Sequence, residues 1–576
     1  MNRRKHSPER IPPAWRAALL LGLFAFAAVA LEARLAWLQL VDVEFLTAEG
    51  EKRQLREVRT PAHRGLITDR HGEPLAVSTP LDSIVANPQT LTLEPARIHA
   101  LAEAIGLEAA DIERRITSNR HQKGVYLSRQ LAPAHAAKVL ELGIEGVWAE
   151  REYGRFNPAH EVTCHLVGFT DIDDIGQEGL EAVYDHRLAG RPGLKLVQRD
   201  EKGRVIADVE QTQQARPGRD LRSSIDLRLQ YPAYRALKQA VLETGASSGS
   251  LVILDAMTGE VLAMANQPSC NPNDGSQRQA ERYRNRAITD PIEPGSSIKP
   301  LVLAAALASG YSPGDLIDVP RDLEIGGQLL TSDPTRLGTV TISEVLARSS
   351  NVGMALIAQD LDRAVIWRTL KALGISESTN SELSGIESAG SLPEHERWGE
   401  RGLATLAYGY GLQVTPLQLA RAYTAIASGG LLPPVSFEAL DEPPESVRVM
   451  SPEIAADLLS MLEGVVSDNG TARRAAIPNY NVAGKTGTVR IHERGGYSDD
   501  RYRAIFAGIA PARHPRFVAV VVINDPRGAE YYGGDLAAPV FASVVGAALR
   551  IYGVAPDALT ESRPAAEQLA RAEASR

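Results

Sequence analysis

The sequence predicts a multidomain α+β protein: an N-terminal membrane-crossing helix, an intervening domain, and a larger domain built on a five-stranded antiparallel sheet flanked by helices. Three observations carry this. A chain of 576 residues is too long for one compact core. A basic start gives way abruptly to an apolar run. Five strand-like stretches fall in two groups on either side of a long helical middle, so the two ends of that domain must meet in one sheet.

Composition narrows the function classes. Hydrophobic content of 44% and charged content of 23% are those of ordinary globular protein. A net charge of −9 excludes nucleic acid as the main partner, because phosphate binding wants a basic face. Only two cysteines occur, Cys164 and Cys270. They make no disulfide framework and fall in different expected domains, so a bridge between them is not expected. His160, Cys164 and His165 cluster but lack a second ligand pair at metal spacing. Because Leu166-Val167-Gly168-Phe169 continues as strand, no metal or other cofactor is called for.

Arg3, Arg4, Lys5, Arg10 and Arg16 stand against the single acid Glu9, and Ala17 to Leu31 is then uninterrupted apolar. Basic residues before the run predict a cytoplasmic N-terminus and an exported remainder. Ala28-Val29-Ala30 also matches a signal-peptidase site, so retention and cleavage both stand at this point. Residues 45–60 read as a charged helical stalk. Arg64-Gly65 through Leu75-Ala76 has strand pattern on both sides of a Gly-bearing turn. Glu210 to Gly218, polar and Gln-rich with a Pro-Gly turn, reads as a linker.

Beyond it Asp226 can cap a helix running toward Gly245, which Pro232 should interrupt unless the start lies near Leu229. Ser250–Asp255 and Val261–Ala265 form a hairpin over Thr258-Gly259. Tyr480–Val489, Ala504–Ala510 and Phe517–Ile523 are the other strands. Pro539 suits the start of a closing helix with Val540, Phe541, Val544, Val545, Ala548, Leu549 and Tyr552 on one stripe. After about Ala555 little remains to bury.

The chemistry gathers around Glu293-Pro294-Gly295-Ser296-Ser297-Ile298-Lys299-Pro300. Ser296 and Lys299 are three apart, which stacks them on one face of a helix. There a hydroxyl can give its proton to an amine, provided the lysine pKa falls. Ser349-Ser350-Asn351 follows a segment opened by Thr341 and Glu344 at capping-box spacing. Lys485-Thr486-Gly487-Thr488 lies in a strand-like run. Ser-x-x-Lys, Ser-x-Asn and Lys-Thr-Gly in that order form the signature set of penicillin-recognising acyl enzymes.

On these residues the chain resembles the class B penicillin-binding proteins of the division-specific type, from about residue 15 to about 552. Further matches are the Arg64-Gly65 block, Arg151-Glu152-Tyr153, Gly176-Gln177-Glu178-Gly179-Leu180-Glu181 and Tyr408-Gly409-Tyr410-Gly411 to Pro416. Gly154 departs from the family, which commonly has proline there. The resemblance implies a basic cytoplasmic tail (1–16), a retained anchor (17–40), an elongated pedestal domain of the dimerisation type (41–218), a transpeptidase domain (219–554) and a mobile tail (555–576).

It also implies the roles. Ser296 is the nucleophile on a D-Ala-D-Ala stem peptide, Lys299 the base and Ser349 the proton relay. Asn351, Lys485, Thr486, Gly487 and Thr488 hold the substrate, and the backbone N–H groups of Ser296 and Thr488 form the oxyanion hole. The implied setting is a single-pass inner-membrane protein with its catalytic domain in the periplasm at the division septum. Its implied partners are peptidoglycan stem peptides, β-lactams and division-complex proteins, including a glycosyltransferase. A D,D-carboxypeptidase and a membrane-bound β-lactam sensor share the trio and stay open. Ser350, where a class A β-lactamase carries Asp, argues against that enzyme. Asn351, where elongation-type relatives usually carry Asp, favours the division type.

Overall fold

The computed structural model describes residues 14–45, 55–91, 94–199, 205–275, 279–331, 337–493 and 495–558. The basic tail before residue 14, the middle of the stalk and the tail after 558 lie outside the described residues. The chain packs as two compact units that do not follow chain order. The smaller comprises residues 1–62, 80–152 and 191–216, and the larger 63–79, 153–190 and 217–576.

In the smaller unit a 27-residue helix spans Ala14–Leu40. At a rise of about 1.5 Å per residue it is roughly 40 Å long, sufficient for a hydrocarbon core of about 30 Å. Leu21, Phe24, Phe26 and Leu31 on it are exposed, as lipid permits and water penalises. The helix carries on through Glu32 and Arg34, past the end of the uninterrupted apolar run.

Strands Leu55–Thr60, Gly193–Arg199 and Val205–Gln213 form an antiparallel sheet with Gly193–Arg199 in the middle. Glu210–Gly218 is therefore half strand, and only after Arg216 does the chain enter the larger unit. A strand with both faces solvated has no apolar alternation, which is why it reads as linker. A second core of the smaller unit gathers Ile84, Ile98, Leu101, Ile112, Ile116, Leu127 and Val139.

The larger unit takes in the early segments as well as the C-terminal half. Arg64, 1% exposed, donates to Glu181 Oε2 at 2.7 Å and Asp185 Oδ1 at 2.7 Å, and Arg155 Nε reaches the other Glu181 oxygen at 2.5 Å. The charged motif blocks thus hold the fold: removing either sign would strand a buried charge. Gly154 sits inside the continuous strand Val147–Phe156, without a turn.

Two expectations fail at Cys164. The segment is a short helix, Cys164–Val167, and Cys164 is bridged to Cys270 with a Cα–Cα distance of 5.9 Å. The sequence hides this bridge because Cys164 and Cys270 fall on opposite sides of the domain boundary that the Gln-rich stretch marks. Residues 153–190 instead pack within the larger unit, which brings both sulfurs into one core beside Tyr283.

Helix α1 (Leu227–Thr244) starts at its Asp226 cap and runs through Pro232 without a break. One lost backbone bond costs about 3 kcal/mol, and burying Leu229, Ala233, Tyr234 and Leu237 returns more, at about 1.5–3 kcal/mol for each large side chain. The core sheet follows. Strands β1 (Ser248–Asp255) and β2 (Val261–Gln267) make the expected hairpin, and β3 (Ala483–Glu493), β4 (Gly496–Ala510) and β5 (Phe517–Asn524) complete an antiparallel sheet of order β2-β1-β5-β4-β3. β5 pairs with β1, Val521 opposite Leu251, which joins the two ends of the domain as the strand count required.

The closing helix spans Gly533–Ile551 and so begins before Pro539. Proline at 539 frees the carbonyl of Asp535, four residues earlier, and the Arg474 guanidinium donates to that oxygen at 3.3 Å. An external donor removes the reason for the helix to start later.

Candidate active site

Gly295–Ile298 is a turn of 3-10 helix that feeds directly into the buried helix α2 (Lys299–Ala308). Residues three apart share a face of either helix type, so this local geometry puts Ser296 and Lys299 on one side of the turn. Gly295 has φ +53°, and a Cβ there would lie 2.4 Å from Val489 Cγ2, so both backbone and space demand glycine. Tyr423, buried on the helix Pro416–Ala427, donates to Ser297 O at 2.7 Å and fixes the turn from beneath.

The second motif sits between two helices. α3 (Ile342–Ala347) carries the capping box of Thr341 and Glu344, as its spacing indicated. It ends with Ser349 in the left-handed region at φ 58°. Ser350 then caps α4 (Asn351–Asp360), its Oγ accepting from Gly353 N at 3.0 Å. A side chain in that conformation costs on the order of 1 kcal/mol or more, and glycine would avoid it. Glycine has no hydroxyl.

That hydroxyl is where the three motifs meet. Lys299 Nζ donates to Ser349 O at 2.6 Å, Asn351 Oδ1 at 2.8 Å and Ser349 Oγ at 3.2 Å. Lys485 Nζ donates to the same Ser349 Oγ at 2.9 Å and to Thr486 O at 3.2 Å. Both lysines are completely buried. Burial, and then the like charge of Lys485, holds Lys299 well below the ordinary lysine range, and burial pushes Lys485 down to about 7.

Lys485 lies on β3, at the edge of the sheet. A Cβ on Gly487 would meet Pro294 O at 2.8 Å and Ile505 Cβ at 3.2 Å. The glycine lets the Ser296 turn press against the strand. Thr486 and Thr488 alternate to the other face. There Thr486 Oγ1 lies 2.9 Å from Thr471 Oγ1, and Thr488 Oγ1 accepts from Gly533 N at 3.1 Å, which leaves the Thr488 proton free to donate. Thr471 belongs to none of the three motifs, so no local signal in the sequence marks it. Tyr408–Gly411 lies against the nucleophile turn, Gly409 O accepting from Gly295 N at 3.1 Å.

Residues 249–546 match the penicillin binding protein transpeptidase domain family, and residues 59–223 the penicillin-binding protein dimerisation domain family. The chain belongs to the class B penicillin-binding proteins. It is 41% identical over 551 residues to the peptidoglycan D,D-transpeptidase FtsI of Escherichia coli (strain K12), across 95% of this chain and 93% of that one. It is 39% identical over 557 residues to the probable peptidoglycan D,D-transpeptidase PbpC of Pseudomonas aeruginosa, across 96% and 98%. Among solved structures, the apo transpeptidase domain of Burkholderia pseudomallei penicillin-binding protein 3 superposes with a TM-score of 0.53 at 37% identity, covering 58% of this chain and 97% of that one. This penicillin-binding protein is thus of the FtsI type, with a serine-type transpeptidase domain following a dimerisation domain and an apolar N-terminal helix.

Proposed function

We propose that this penicillin-binding protein cross-links peptidoglycan stem peptides through an ester on Ser296. In that reaction the Ser296 oxygen attacks the carbonyl of the penultimate D-alanine while its proton passes to Lys299. A neutral amine has two N–H bonds and one lone pair. Ser349 O and Asn351 Oδ1 take the two shortest donations, so the lone pair is left as base. Ser349, contacted by both amines, carries a proton on to the departing D-alanine. The acyl group then moves to an amine of a neighbouring stem. Lys485, its pKa lowered to about 7, supplies positive field in its protonated form, and Asn351 and the Thr486 and Thr488 hydroxyls hold the donor peptide and its carboxylate. The backbone N–H groups of Ser296 and Thr488 receive the oxyanion.

The observation that carries this reading is the Ser349 hydroxyl held between two buried lysines with depressed pKa values, one of them three residues along the chain from the partly exposed Ser296. Labelling with a fluorescent penicillin, wild type against Ser296→Ala, tests it, and an adduct mapped to another side chain refutes it. A thioester stem-peptide mimic offered with a D-amino acid separates the related activities. Transfer to the amine is expected; bare hydrolysis would mean a carboxypeptidase, and an adduct without turnover a sensor.

The pedestal is read as residues 41–218 and the catalytic domain as 219–554. The cellular setting extends the reading. The apolar helix retains the chain in the inner membrane with the catalytic domain in the periplasm, and the Cys164–Cys270 bridge supports export, since disulfides persist in oxidising compartments. By likeness to FtsI the enzyme works on septal wall with division-complex partners, a glycosyltransferase among them. Protease accessibility in spheroplasts and a septal fluorescent fusion test the placement.

A further inference from the structure

Three residues ahead of the nucleophile, one carboxylate oxygen collects two donors from two separate elements. Glu293 Oε1 accepts from Gly411 N at 2.9 Å and from the Tyr497 hydroxyl at 2.9 Å. Gly411 belongs to the loop that already grips the nucleophile turn by backbone: Ile292 and Val414 exchange bonds at 2.8 and 2.9 Å, and Gly295 N donates to Gly409 O at 3.1 Å. That approach leaves no slack, since a Cβ on Gly409, at φ +93°, would lie 2.1 Å from Gly295 O.

Tyr497 comes from elsewhere, the arm in which β3 and β4 run on beyond the sheet past the irregularity at Arg490/His492. Its ring sets edge-on against Tyr410 at 5.3 Å and His492 at 5.1 Å. Tyr410 in turn bonds the Arg490 backbone. The ring therefore has a fixed seat, and among the described residues its hydroxyl bonds to Glu293.

We propose that Glu293 is a positioning residue for Ser296, and that Tyr497 makes the arm part of the same device. Docking of the arm on Glu293 fixes the turn that presents the seryl oxygen. Two donors converging on one acceptor give the arm and the loop a shared attachment point, so loosening either leaves the turn with backbone bonds on one side only. Neither residue touches the reacting atoms; both act through the geometry of residues 294–296. The proposal rests on the assignment of Ser296 as the acylated residue.

The test follows a fluorescent penicillin on the full chain in detergent, separating pre-acylation affinity from the acylation rate by stopped flow. In Tyr497→Phe, which removes only the hydroxyl, the acylation rate is expected to fall about fivefold. In Glu293→Ala both bonds go and the fall is about thirtyfold. Glu293→Gln keeps an amide oxygen that accepts both donors and is expected within about twofold of wild type. Affinity and melting temperature stay level in all three. The double variant Glu293→Ala/Tyr497→Phe is no slower than Glu293→Ala alone, because both changes break one device.

An unchanged rate in Tyr497→Phe, a Glu293→Gln as slow as Glu293→Ala, additive losses in the double variant, or losses confined to affinity or melting would each overturn the proposal. A wild-type chain labelled at a residue other than Ser296 would overturn the functional reading, and this inference with it.

Discussion

Lys485→Met separates stability from activity at this site and gives the two opposite signs. Lys485 is completely buried, and its pKa drops from 10.5 to about 7 because burial disfavours the ammonium. The unfolded chain binds that proton more tightly than the fold does. Above about pH 10.5 both states are neutral and the residue costs nothing on this account. Between 10.5 and 7 the unfolded chain holds a proton that the fold lacks, so stability falls as pH falls. Below 7 both are protonated and the penalty is constant.

At about 1.4 kcal/mol per pH unit, the penalty at pH 7 is on the order of 5 kcal/mol. Methionine of similar size removes it, and forfeits the donations to Ser349 Oγ, Thr486 O and Thr486 Oγ1 at about 1 kcal/mol each. The variant is expected to be more stable than wild type by roughly 1–3 kcal/mol at pH 7, in line with replacing buried charges by apolar groups. On the same numbers the gain vanishes at about pH 8 and turns into a loss of roughly 2 kcal/mol by pH 10. Acylation by penicillin falls at least about a hundredfold. Thermal unfolding of the detergent-solubilised chain at pH 7 and pH 10, with acylation rates at pH 7, checks both halves. A variant less stable than wild type at pH 7, or a stability difference that does not change with pH, refutes the reasoning.

Ser349→Ala takes away the oxygen on which both amines converge, and acylation should slow by about 10²–10⁴-fold while penicillin affinity changes little, read by stopped flow. Gly487→Ala puts a Cβ 2.8 Å from Pro294 O, so the nucleophile turn must retreat from β3. Acylation is expected to drop at least about tenfold, with the fold retained by circular dichroism. Cys164→Ser opens a bridge that spans 106 residues of sequence. A loss of about 2–4 kcal/mol should appear as a lower melting temperature, and dithiothreitol should lower the wild type to the same value and leave the variant unmoved.

The sequence alone specified the sheet of the catalytic domain and the order of its chemistry. Its strands are buried apolar runs punctuated by turn residues, and the Thr341–Glu344 capping box is a local signal that survives any tertiary context. Ser296, Lys299, Ser349 and Lys485 could be named in advance because each sits in a short motif whose spacing has a chemical reason. What folding decided was everything that depends on residues remote in sequence. The Cys164–Cys270 bridge exists because residues 153–190 pack with the catalytic unit, a fact no local pattern carries. The helix through Pro539 is allowed by Arg474, a donor from another element. Gly487 serves the approach of Pro294, and Glu293, Tyr497 and Thr471 acquire partners only when distant strands and loops converge. Local propensity is written in neighbouring side chains, whereas the space a side chain fills and the donors that reach it are set by chain that arrives from far away.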